Sequence, residues 1–129
     1  MIDYGFSKQV KRPFDQVLDA VIDELKKEGF GLLTKIDVKE KFKEKLGIDF
    51  CKYMILGACN PPSAHKAILA EQDIGLMLPC NVVVYEKENK TVVSVIKPTV
   101  AMSMIENEEL EKIARAVEEQ LKRVFDSIE

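Results

Sequence analysis

The chain is 129 residues long, 47% apolar and 32% charged, with 19 basic against 22 acidic side chains and a net charge of −3. That length fits one domain able to bury roughly two-thirds of the surface its unfolded chain exposes, and the composition excludes a disordered polymer. The acidic balance argues against a generic phosphate-backbone binder, and no apolar run approaches the roughly twenty residues that span a bilayer.

Ile2, Tyr4 and Phe6 alternate with Asp3, Gly5 and Ser7, the period of a half-buried strand. No basic start or apolar stretch of a secretory leader precedes it. With an odd number of cysteines, three, the expectation is free thiols in a reducing compartment, the cytoplasm.

Pro13 supplies a pre-set first helical position, and Asp15 suits the positive end of the helix dipole. Phe14, Val17, Leu18, Val21, Ile22 and Leu25 then keep helical spacing up to Gly29, the expected stop. Phe30 to Ile36 form a second strand. Asp37 and Glu40 have capping-box spacing and open a short Lys/Glu helix that Gly47 ends. Its lysines, interrupted by Asp37, Glu40 and Glu44, make a solvated face rather than a nucleic-acid patch.

Phe50 to Ala58 is expected as a third strand, with Cys51 on it as core. Asn60 caps the next helix, with Pro61 at its first position and Ala64, Ala67, Ile68 and Leu69 within it. The apolar run Gly75 to Pro79 reads as a further strand-like segment. Asn81 to Lys87 and Thr91 to Lys97 form a hairpin around Glu88-Asn89-Lys90, and Val82 to Val84, apolar on both faces, places that strand mid-sheet. After Pro98 and a Met-rich connection, Asn107 caps a final helix whose stripe runs from Leu110 to Phe125. Met77 is expected in the core; Met102 and Met104 suit either core or a pocket wall.

The resulting order is β-α-β-(short α)-β-α-β-β-α in a single domain, residues 1–129. A hairpin beside long amphipathic helices predicts an α+β fold, a two-layer sandwich with a mainly antiparallel sheet and the long helices on one face. A doubly wound fold would need stricter strand–helix alternation and a Gly-rich phosphate turn, and the chain has neither.

Two Cys-Asn pairs stand where regular structure changes, Cys59-Asn60 before Pro61 and Cys80-Asn81 before Val82. Such positions tend to carry chemistry because a rigid scaffold holds them. Gly57-Ala58-Cys59-Asn60-Pro61, the helix Ala64-His65-Lys66-Ala67-Ile68-Leu69, and Gly75-Leu76-Met77-Leu78-Pro79-Cys80-Asn81-Val82-Val83-Val84-Tyr85 resemble the family called domain of unknown function 302. The likeness extends over nearly the whole chain. It implies a compact α+β domain similar to the TATA-binding-protein architecture, without implying DNA binding, and it transfers no catalytic residue.

Three functional readings follow. In the first, a small ligand or a protein partner binds near Cys59, Asn60, His65, Cys80 and Asn81, and the chain forms a homodimer through a sheet edge or helix face. In the second, a thiol-dependent redox or sulfur-transfer protein uses Cys59, just before a helix N-terminus, as nucleophile, Cys80 as resolving thiol and His65 as base. In the third, Cys59, His65 and Cys80 bind a metal. Asn60 has a competing role as a cap and Asn81 as a turn residue. Tyr4, Tyr53 and Tyr85 offer polar tips for a pocket edge. No motif names a cofactor, and no Ser-His-Asp order, phosphate loop or acidic pair is present.

Overall fold

The computed structural model describes residues 2–129. In chain order they form β1 (Gly5–Val10), α1 (Phe14–Lys27), β2 (Gly31–Asp37), α2 (Val38–Leu46), β3 (Tyr53–Cys59) and α3 (Pro61–Ala70). A 3₁₀ helix (Gln72–Met77), β4 (Cys80–Lys87), β5 (Lys90–Ile96), α4 (Pro98–Ala101) and α5 (Glu108–Asp126) complete the order.

The five strands make one sheet in the order β1-β5-β4-β3-β2, and every neighbouring pair is antiparallel. Alternation along the strands sends Leu56, Val82, Val84, Val93 and Val95 to one face, where all are fully buried. The buried stripes of α1 (Val17, Val21, Leu25) and α5 (Val117, Leu121, Val124) cover that face. This is the two-layer α+β architecture expected from the hairpin and the helical stripes. A second, smaller cluster of Ala67, Ile74, Met102, Leu110 and Ala114 lies where α3, the 3₁₀ helix and α4 meet the N-terminal half of α5.

The element ends follow local chemistry. α1 stops where Gly29 turns left-handed (φ 85°), the Gly29 N–H donating to the Lys26 carbonyl and the Phe30 N–H to that of Leu25. Pro13 sits one position earlier than expected, as the N-cap. The Asp37 carboxylate accepts the Glu40 N–H at 3.0 Å, and Gly47 (φ 68°) closes α2. Asn107 accepts the Leu110 N–H and donates to the Ala70 carbonyl, so the cap of α5 also ties down the end of α3.

Four boundaries differ from the sequence expectation. β1 begins at Gly5 and runs on through Lys8, whose ammonium donates to the Phe125 carbonyl at 2.7 Å and lies over the Phe125 ring. Cys51 is exposed and precedes β3 rather than lying in its core. The return from α2 is still loop there, with Lys39 donating to the Phe50 carbonyl. The run before Cys80 is a 3₁₀ helix, because Ile74 turns into the small cluster and Pro79 brings no N–H to a ladder. The hairpin turn has two residues, Glu88 and Asn89, both left-handed, the twist that two-residue hairpins need. Among the described residues no helix is long and apolar enough to cross a membrane.

Candidate functional site

β3 ends at Cys59 and β4 begins at Cys80, and these ends are neighbours. Ala58 pairs with Cys80 across the ladder, while Cys59 pairs with Gly31 on the other side. The two thiols therefore occupy the same end of the sheet, one residue out of register. Asn60 follows, its side-chain oxygen accepting the Ser63 N–H at 3.3 Å and its amide donating to Gln120 Oε1 at 3.3 Å. That cap starts α3 at Pro61 and fixes its N-terminus to α5.

Between α3, α5 and this end of the sheet lies a cavity of about 290 Å³. Cys59 and Cys80 both line it, and Phe30, Leu78, Met102 and Val117 supply apolar surface. Its room comes from three small side chains, Ala64 and Ala67 on α3 and Ala114 on α5. Leu33, in the bulge of β2 and 65% exposed, is part of the lining, as is the exposed Ile68. No Asp, Glu, Lys, Arg or His belongs to the lining; Asn60, Ser63 and the two thiols are its polar groups.

That environment sets the chemistry of the thiols. Burial pushes the Cys80 thiol up to about 11, and the nearby Cys59 adds to the shift. Roughly one Cys80 in ten thousand is then thiolate at neutral pH, far too little for a resolving thiol that must attack quickly. Cys59 is half buried, and all three cysteines are free.

The expected site residues separate accordingly. Cys59, Asn60 and Cys80 come together at the cavity. His65 is not part of that lining; it is exposed on α3. The metal reading is corrected on the same ground: among the described residues no group of three or more His, Cys, Asp or Glu side chains is placed to hold an ion. Asn81 is exposed, one residue out of phase with Cys80 along β4, and borders a separate hollow with Met77, Pro79 and Ala101. Tyr53 and Tyr85 stack on one another with ring centroids 5.0 Å apart, and neither lines the cavity.

The far wall was missed by sequence reasoning. Leu110, Ile113, Ala114 and Val117 read as one core stripe, and helical period says which side faces inward without saying whether the opposing surface fills the space. The available signal was size: alanines at 64, 67 and 114 interrupt otherwise large apolar positions.

The model of the family "Domain of unknown function DUF302" matches residues 6–128. A crystal structure of the uncharacterized conserved protein DUF302 from Bacillus stearothermophilus is similar to this chain, with a TM-score of 0.91 and 31% sequence identity over 98% of this chain and 98% of that one. No curated protein matches the chain.

Proposed function

The chain belongs to the DUF302 family of domains of unknown function, and from that premise we propose that it is a binding domain for a small, uncharged, largely apolar molecule. The site is the cavity beside Cys59 and Cys80. The observation that carries this reading is the lining itself: open, apolar, free of charged side chains, and held by the ends of β3 and β4 against two helices.

Size and polarity define the ligand class. A dry cavity of about 150 Å³ holds benzene, so about 290 Å³ suits roughly two fused rings or an equivalent short aliphatic body. An ion entering would lose its hydration without a counter-charge, which is costly. A single hydroxyl or carbonyl on the ligand has Ser63 and the thiols as neighbours. The lining offers no carboxylate, imidazole or amine to move a proton, which favours binding over acid–base chemistry.

Fluorescence titration with 2-naphthol, a neutral two-ring probe, tests the reading. Wild-type protein is expected to give a saturable one-to-one signal. Ala64→Trp, which fills the cavity from α3, is expected to weaken it at least about ten-fold while leaving the far-UV circular dichroism unchanged. Leu33→Asp in the exposed bulge is a second variant with little risk to folding, and it should weaken binding as well. Absence of a saturable signal with wild type, or unaltered affinity in both variants, would overturn the proposal.

A further inference from the structure

We infer that the uncovered face of the sheet, extended by α2, is where a second copy of this chain docks. The helices α1, α3 and α5 all pack on one side of the sheet or at its end. The other side carries the alternate residues: Ile36, Ile55, Val83, Tyr53 and Tyr85 join neither core cluster, while Val92 is buried among its strand neighbours and Ile96 packs against the main core. Their polar neighbours on that face are uncharged: Ser7 and Ser94, hydrogen-bonded to each other at 2.7 Å, with Gln9, Thr34 and Asn81. In a chain that is 32% charged, an ionic side chain enters this face only at the hairpin end, with Lys87 and Lys90.

A second, independent observation comes from α2. Its nine residues include no buried one, and an isolated helix shorter than about twelve residues is marginal in water even when capped. Its Phe42 meets Phe50 edge-on at 5.0 Å, Phe50 lies 6.4 Å from Tyr53, and Tyr53 stacks on Tyr85. This aromatic ladder makes α2 a continuation of the open face. Leu46, four residues after Phe42 and on the same side of the helix, is 65% exposed.

The chemistry of the surface selects its occupant. A nucleic acid or acidic partner finds counter-charge only at the hairpin end, at Lys87 and Lys90, and on α2, where glutamates alternate with the lysines. A flat, uncharged sheet is complementary to another such sheet, because two faces pack about 10 Å apart with side chains interdigitated. Five strands spaced about 4.8 Å apart and about 20 Å long give a flat footprint of roughly 500 Å². Side-chain relief and α2 add to that, towards the roughly 800 Å² per partner of a standard interface. The alternating charges of α2 (Lys39, Glu40, Lys43, Glu44) supply a polar rim. Edge-to-edge pairing is less favoured, since a bulge between Leu32 and Thr34 and the exposed Lys35 blunt the β2 edge.

Sedimentation equilibrium across the micromolar range tests the inference. Wild type is expected at twice the chain mass of 14.6 kDa. Val83→Lys, which places a charge in the centre of the face, should sediment as a monomer with its circular dichroism retained. Leu46→Lys, at an exposed position that cannot compromise the core, should raise the dissociation constant at least ten-fold. Leu76→Lys, 90% exposed on the 3₁₀ helix and outside the sheet, should leave the dimer intact. A wild-type monomer throughout the range would overturn the inference, as would a Leu46→Lys protein that dimerises as tightly as wild type.

Discussion

At the scale of single residues, Cys80 shows how place determines chemistry. The same residue type is exposed at Cys51, half buried at Cys59 and buried at Cys80. Burial, with a smaller contribution from the nearby Cys59, raises the last from an ordinary value of 9.0 to about 11. The linkage has a definite sign. Below pH 9 the thiol is protonated in folded and unfolded chains alike, so its contribution to stability is complete. Between about pH 9 and 11 the unfolded chain ionises first and stability falls, by on the order of 2 kcal/mol in total. Denaturant melts of wild type and Cys80→Ala across that range should therefore diverge, with the wild type losing more. Tyr53, also raised by burial, contributes with the same sign in both proteins and cancels in the comparison. Parallel pH profiles would remove the burial account of Cys80.

At the scale of elements, some features were legible in the sequence and others were not, for identifiable reasons. The caps at Asp37, Asn60 and Asn107 each combine a side-chain acceptor with a following helical pattern, and each closes on an N–H three residues ahead. The adjacency of Cys59 and Cys80 was not legible, because strand order is set by non-local pairing; the register of β3 against β4 supplies it. The phase of α3 was less accessible: with few large residues it has little amphipathic signal, so His65 was placed at the site although one further step around the helix takes it to solvent. Cys51 lies outside β3 because Phe50 and Cys51 continue its apolar pattern beyond the last cross-strand bond, from the Glu86 N–H to the Lys52 carbonyl. Gly57 marks a close approach on the open face that the sequence did not announce. A Cβ there would run into Thr34 Oγ1 and lie 2.7 Å from Pro79 Cγ. Gly57→Ala should lower stability by about 1–3 kcal/mol, measured as a reduced denaturant midpoint at unchanged slope. A midpoint equal to wild type would mean that β2 and the turn before β4 yield at no cost.

At the scale of the molecule, the two layers leave two surfaces with different characters. The helical side closes over a core except at the α3–α5 corner, where small residues leave a cavity lined by Cys59 and Cys80. On the opposite side of the sheet α2 approaches the Tyr53 end of β3 through Phe42 and Phe50. The two surfaces lie on opposite sides of β3 and β4, so ligand binding and self-association are separable by mutation. Uptake of a neutral apolar molecule at the corner by Cys59 is read out by alkylating native protein with iodoacetamide and following Cys51, Cys59 and Cys80 by peptide mass. Without probe, Cys51 should react first, Cys59 more slowly and Cys80 last. Saturating 2-naphthol should slow Cys59 at least about ten-fold and leave Cys51 unaffected. Equal Cys59 rates with and without the probe would mean that this corner takes up no such molecule.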